Sequence, residues 1–191
     1  MTVDEKSMWN RKYSEGSHAS LEPDPFLVAA YEEFLSATAP GLALDVAGGV
    51  GRHSIWLAQR GWRVKLLDIS EVGVKQAGEN AKRTGTASSI ATEVRDLNSG
   101  QDFGREQYDL LVVFFFLQRE LFPALAAALK PGGHLIYKTY TTVQKNFTAG
   151  PSHPMFLLEP NELLHAFTSL RVLHYHETIQ EKGVAELVAR K

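Results

Sequence analysis

Apolar and polar positions along this chain change period repeatedly, and the changes predict its elements. Leu42, Ala43 and Leu44 form an apolar run that breaks at an acid, Asp45. The glycines Gly48, Gly49 and Gly51 follow, and beyond them Ile55, Leu57 and Ala58 fall at helical spacing, up to a stop at Gly61. This pattern predicts a buried parallel strand, a tight turn and the N-terminus of a helix. Upstream, residues 1–25 are polar with Trp9 and Tyr13 embedded, and Phe26, Ala29, Ala30 and Phe34 predict a helix over 26–38 before Pro40-Gly41.

Downstream, a second strand is expected at 63–68, with Ser70 as the N-cap of a helix running to about Thr84 and ending at Gly85. A short third strand at 90–94 stops at Arg95-Asp96-Leu97, and a loop covers 100–107. The continuous apolar run 108–116 predicts a central strand buried on both faces. An Ala-rich helix at 121–129 is halted by Lys130-Pro131-Gly132-Gly133, and strand five covers 134–140. Residues 141–158 read as irregular, 159–167 as a short helix, and 171–178 with 184–189 as an antiparallel hairpin at the sheet edge. Five strands alternating with helices, then a hairpin, predict an α/β fold. It is a doubly wound, Rossmann-like sheet of seven strands, mostly parallel, with one antiparallel strand near the C-terminus. One domain over 1–191 is expected, with 1–25 as an arm or lid and 141–158 as a substrate-side insertion.

Composition narrows the function. A chain of 191 residues buries roughly 70% of its unfolded surface, enough for a real core. The net charge of −2, with scattered Lys and Arg, gives no electrostatic footprint for nucleic acid. There are no cysteines, which excludes disulfides, thiolate metal sites and a cysteine nucleophile. No His or carboxylate cluster has metal-ligand spacing, so no metal is expected. The acidic start and the absence of a long apolar stretch predict neither a signal peptide nor a membrane span, hence a cytoplasmic protein.

The glycine turn is nucleotide-site chemistry, and two ligands compete for it. Gly49-x-Gly51-x-x-Ser54, with Asp68 about twenty residues on, approaches a dinucleotide fingerprint. The other candidate is S-adenosylmethionine. Asp45 separates them, because a carboxylate directly before the glycines repels a pyrophosphate and suits a cationic ammonium. Its alternative role is to cap the turn locally.

The stretch Asp45-Val46-Ala47-Gly48-Gly49-Val50-Gly51 resembles motif I of the class I S-adenosylmethionine-dependent methyltransferases. The W-N-x-x-Y arm, Trp9 to Tyr13, is similar to that of small tellurite-resistance-type members. Ala47 replaces the motif's first glycine, which implies a less open pocket edge. The resemblance implies cofactor contacts from Tyr13, Asp45, Ala47, Gly48, Gly49, Gly51, Arg52, Asp68, Ile69, Ser70, Asp96, Leu97, Phe114 and Phe115. In that scheme Asp68 accepts the ribose hydroxyls. Asp96 and the Leu97 amide address the adenine, and an aromatic at the end of strand four faces the sulfonium.

Methyl transfer expels a neutral thioether, so holding nucleophile and methyl in line matters more than any acid. Candidate catalytic groups are His18, His53, Arg119 and His153, with Gln118 beside Arg119. Each has a plainer reading as surface or helix-start chemistry, and His174 and His176 read as the polar face of a strand. The expected acceptor is a small molecule, with no nucleic acid or membrane partner and a monomer or homodimer as the working form. The alternatives are a non-catalytic S-adenosylmethionine-binding module and an NAD-binding protein, the latter disfavoured by Asp45 and by length.

Overall fold

The computed structural model describes residues 5–16, 18–98 and 101–191. The polar start at 1–4, Ser17 within the arm, and Ser99 and Gly100 at the head of the 100–107 loop lie outside the described residues. The chain divides into two compact units, Met1–Leu97 and Asn98–Lys191. Its seven strands run in the order β3-β2-β1-β4-β5-β7-β6.

In the first unit β1 (Leu42–Val46), β2 (Arg63–Asp68) and β3 (Ile90–Val94) are parallel, with Asp45 opposite Leu66 and Asp68 opposite Val94. Between them run helices α3 (Arg52–Ala58) and α4 (Glu71–Arg83). The Ser70 hydroxyl caps α4 by accepting from the Gly73 N–H at 3.0 Å, as Ser at that position predicts. Asp24 caps α2 (Pro25–Phe34), whose Pro25 fits the first turn. Helix α2 ends four residues before the expected stop, because Ser36 and Thr38 form a turn rather than extend it. The polar arm holds an unexpected helix, α1 (Glu5–Ser14). Its sequence has no continuous apolar stripe, and a few contacts on α4, described below, fix it in place.

In the second unit β4 (Tyr108–Phe114) pairs parallel with β5 (Leu129–Tyr140). Strand β7 (Val184–Arg190) lies between β5 and β6 (Arg171–Thr178), antiparallel to both. It is therefore the one antiparallel strand that the sequence predicts. Two boundaries differ. Strand β4 stops at Phe114, not at residue 116, because Phe115 adopts a left-handed backbone, φ 55°. Strand β5 begins at Leu129, opposite Tyr108, and passes through Lys130-Pro131-Gly132-Gly133 with a register shift before His134. Helix α5 (Phe122–Ala128) is preceded by a tight turn at Arg119–Leu121. Helix α6 (Glu162–Ala166) starts after Asn161, φ 61°, later than expected. The insertion 141–158 carries two short 3₁₀ turns, Thr142–Asn146 and Pro154–Phe156. The core here centres on Tyr137, Phe122 and Phe167, with ring centroids 5.3 to 6.1 Å apart.

Candidate functional site

The glycine turn after β1 is built around two buried carboxylates. Asp45, only 1% exposed, accepts from the Ser54 hydroxyl at 2.7 Å. Asp68, at the end of β2, accepts from the Gly49 N–H through one oxygen and from the Ser70 N–H through the other, each at 2.8 Å. Among the described residues neither has an ion-pair partner. Burial pushes Asp45 up to about 7, against the Ser54 hydrogen bond, and Asp68 adds like-charge repulsion. Asp68 is also raised by burial, with the Ser70 and Gly49 amides working the other way. Buried negative charge without a counter-ion is costly unless a ligand compensates it. Each carboxylate keeps acceptor capacity for a cationic or hydroxyl-bearing ligand, or for its own proton.

The backbone of the turn is shaped for close approach. Gly49 has φ 56°, and a Cβ there would meet the Tyr13 hydroxyl at 2.5 Å. Gly48 is hemmed in by Leu66 and by Asp45 itself, at 2.7 and 2.8 Å from where a Cβ would stand. Ala47 adopts φ 56° despite its methyl, a conformation that glycine takes without strain.

Helix α1 closes over this turn. Tyr13 is buried, and its ring lies 2.9 Å from where a Cβ of Gly73 would stand. Burial raises its phenol, and Asp68 and then Asp45 raise it further, so it stays protonated as a donor. The Asn10 side-chain oxygen accepts from the Ser70 hydroxyl at 2.6 Å, and Gln76 donates to the Tyr13 carbonyl at 3.2 Å. Lys6 pairs with Glu71. Two of the predicted residues, Trp9 and Tyr13, stack at 5.6 Å, with the exposed His18 ring 5.9 Å from Trp9. Burial, then Lys12 and Arg52, lower the His18 pKa.

In the second unit the end of β4 is strained. Phe115 donates its N–H to the Lys138 carbonyl at 2.8 Å, and its ring lies 5.1 Å from Tyr140. The Lys138 ammonium sits 5.8 Å from the Phe115 ring and 2.9 Å from Glu186, on the adjacent strand. A bulky side chain held at positive φ by such surroundings is a feature of functional positions. Beyond β5 lies a cavity of about 310 Å³, bounded by Tyr140, Phe147, Thr148, Glu181 and Lys182. Its wall is fastened by Gln144, which is buried and donates to the Ala149 carbonyl while accepting from the Gly183 N–H at 3.0 Å.

The methyltransferase-domain family matches residues 43–133, the segment from β1 through the glycine turn into β5. The chain is 28% identical over 150 residues to a probable S-adenosyl-L-methionine-dependent methyltransferase, TehB, of Haemophilus influenzae. That match covers 74% of this chain and 50% of the relative. The crystal structure of TehB from Haemophilus influenzae superposes with a TM-score of 0.73 at 20% identity, covering 95% of this chain and 67% of that one. This chain is similar to S-adenosylmethionine-dependent methyltransferases, and its residues 43–133 match a methyltransferase domain. The relative's printed name makes it dependent on S-adenosyl-L-methionine, a ligand that carries both an ammonium and ribose hydroxyls. The chain spans about half the length of the TehB relatives it matches. A further relative, the ribosomal RNA small subunit methyltransferase C of Alcanivorax borkumensis, is 32% identical over 74 residues, 39% of this chain and 23% of the relative.

Within this methyltransferase fold the first unit gathers Tyr13, Asp45, Ala47, Gly48, Gly49, Gly51, Asp68, Ile69 and Ser70 around one turn, with Arg52 opening α3. Asp96 is exposed beyond β3, and Leu97 is buried. In the second unit Phe114 is buried and Phe115 partly exposed. The candidate catalytic groups are dispersed. His53 is buried and accepts from the Asp24 N–H at 3.3 Å, a contact with the head of α2. Arg119 makes a bidentate pair with Glu162 at 2.5 and 2.8 Å and donates to the Leu157 carbonyl, so it anchors α6. His153 is exposed and caps a short turn through Met155. Gln118 donates to the Asn98 carbonyl at 3.0 Å. Sequence reasoning missed Asn10, Ser54 as partner of Asp45, Gly73, Lys138 and Gln144. Asn10 was legible in principle, as the second letter of the W-N-x-x-Y arm.

Proposed function

We propose that this chain transfers the methyl group of S-adenosylmethionine to a small-molecule acceptor. The observation that supports this reading is the pair of buried carboxylates at the glycine turn, Asp45 and Asp68, which among the described residues make no ion pair, Arg52 acting on Asp45 only as a more distant charge. When bound, the cofactor supplies a methyl group on a sulfonium, activated for in-line displacement. Asp45 holds the ammonium, and Asp68 accepts from the ribose while the Ser70 and Gly49 amides fix its orientation. Asp96 and the Leu97 amide address the adenine. Tyr13 and α1 form a lid that excludes water from the turn. Phe114 and Phe115 carry the same proposed cofactor role in the second unit. None of His18, His53, Arg119 or His153 is needed as a base when the acceptor arrives with a lone pair. The proposal takes residues 1–191 to work as one methyltransferase domain, as a monomer or homodimer in the cytoplasm.

Calorimetry with S-adenosylhomocysteine and NAD tests the cofactor. At a hundred times its dissociation constant, S-adenosylhomocysteine should stabilise the fold by about 2.7 kcal/mol, and NAD should not. Tritiated cofactor offered in parallel to total RNA, cell protein and a small-metabolite extract tests the acceptor. Label recovered mainly in macromolecules would sink the small-molecule reading, and tight binding without any transfer would leave a non-catalytic binding module.

A further inference from the structure

We propose that Arg171 and Arg190 form a clip for the terminal phosphate of a small phosphorylated molecule, on the β6–β7 hairpin of the second unit. The site uses no residue of the glycine turn and stands whether or not the methyltransferase reading does. Arg190 on β7 lies directly opposite Arg171 on β6 and directly opposite His134 on β5. Residues opposed in an antiparallel pair share a face, with Cβ atoms about 4.5–5.5 Å apart, so the three side chains form one row. Like charges in that relation destabilise the pair. Both arginines are exposed, and among the described residues neither makes an ion pair. Arg171 makes no side-chain hydrogen bond there either, and Arg190 makes one, from Nε to the Gly132 carbonyl at 3.3 Å. Acids on and beside these strands are already engaged. Glu186 pairs with Lys138 at 2.9 Å, Glu106 with Lys191 at 3.6 Å and Asp109 with Lys130 at 2.9 Å. Glu177, on β6 itself, accepts from the Asn161 N–H at 2.7 Å. His134 ends the row on its buried side, and its Nδ1 has no hydrogen-bond partner. Burial and then Arg190 lower its pKa, so the Arg190 charge reaches the ring uncompensated.

The geometry of two guanidiniums narrows the ligand. Each is a planar fork that matches an oxyanion through paired donors, a fit that lysine does not offer. A carboxylate has two oxygens and a single charge, enough for one fork. A phosphomonoester has three terminal oxygens and nearly two charges near neutral pH, so it can bridge both forks and cancel their repulsion. A phosphodiester has one charge and two free oxygens, so a nucleic-acid backbone suits the pair less well. Gly132 helps to set the Arg190 fork in advance. It has φ 82°, and a Cβ there would stand 3.5 Å from the Arg190 Nη2. A fork held before the ligand arrives loses less freedom on binding. The register slips between Val172 and His174, just beyond Arg171. A bulge on an edge strand discourages pairing with another sheet, which leaves Arg171 to solvent and its ligand.

Calorimetry and phosphorus NMR on the full chain, at about pH 7.5 in phosphate-free buffer, test the clip with phenyl phosphate as probe. Inorganic phosphate is the second arm. Equal affinity assigns the clip to the free ion and tighter phenyl phosphate to a monoester, the same dianion chemistry in either case. Dimethyl phosphate and acetate should each bind at least about tenfold more weakly than phenyl phosphate. Arg171→Gln and Arg190→Gln should each weaken phenyl phosphate by about tenfold. The His134 ring resonances should move as wild-type protein is titrated. Because Arg171 makes no bond to the fold, Arg171→Gln should melt no lower than wild type without ligand, and phenyl phosphate should raise the melting temperature of wild type alone. No binding at about 10 mM phenyl phosphate would overturn the clip. Dimethyl phosphate binding equally well, or probe affinity indifferent to both substitutions, would overturn it too. So would an Arg171→Gln protein that melts well below wild type, since the arginine would then be structural.

Discussion

Asp45 is a buried acid whose proton is linked to folding and, in the proposed function, to ligand binding. Its folded pKa, near 7, lies above the unfolded carboxylate value, so the folded state holds the extra proton between about pH 4 and 7. Stability from this residue is therefore lost as pH rises through that window. The ligand-free protein should melt at higher temperature at pH 5.5 than at pH 8, and Asp45→Asn should flatten the slope. Binding of an ammonium-bearing ligand should run the other way, tightening as pH rises through 7, because the ammonium prefers the carboxylate. Calorimetry across that range, on wild type and Asp45→Asn, checks both signs. Ala47 offers a second test. Holding a methyl at φ 56° costs about 1–2 kcal/mol, while glycine gives back about 0.5–1 kcal/mol as unfolded-state entropy. Ala47→Gly should thus raise stability by about 0.5–1 kcal/mol in urea titration. The letters D-V-A-G-G-V-G announced the turn, because acid-then-glycine has few other uses at a strand end. They did not announce that Ser54 would hold Asp45, since that bond crosses from strand to helix and depends on how α3 docks.

Elements carried by a strong local period were legible: β2, β3, α4 and its Ser70 cap stand where the pattern puts them. Where tertiary contact decides, the pattern fell short. Helix α1 has too few apolar positions to be read as a helix. It is set by Asn10 on Ser70 and by Tyr13 against Gly73 and Gly49. Strand β4 lost its last two expected residues because Phe115 turns left-handed, a choice invisible in three consecutive phenylalanines. Gly73→Ala sets two element-scale effects against each other. Alanine favours the α4 helix by about 1 kcal/mol, but its Cβ would lie 2.9 Å from the buried Tyr13 ring. The collision should win, because a ring wedged between α4 and the glycine turn has nowhere to swing. The expected result is faster tryptic cleavage at Arg11 and Lys12, with weaker S-adenosylhomocysteine binding. Unchanged cleavage would show α1 to be held by Asn10 and Lys6 alone.

At the scale of the molecule, fold class was within reach of the sequence, because alternating strand and helix periods and the glycine turn are local signals. The sequence offers His18 on the arm, Gln118, Arg119 and His153 as acceptor-side candidates, and 141–158 as a substrate-side insertion. The cavity wall at Tyr140, Phe147 and Lys182 comes together only where the insertion meets the β6–β7 turn, a contact no local period announces. A net charge of −2 predicts weak attraction to polyanions. Filter binding to total RNA at about 50 mM salt should give no retention; retention that falls steeply as salt is added would argue for a nucleic-acid partner. The position of β7 has a consequence for how the chain is assembled. It follows β6 in sequence yet lies between β5 and β6, so Arg171–Thr178 has no neighbour in the growing sheet until Val184–Arg190 has been made. The two strands are joined by a short turn, and hairpins of this kind close in about 1–10 μs, far sooner than distant strands find one another. Strand β6 therefore enters the sheet as a passenger, already zipped to β7, and the hairpin docks onto β5 as one piece.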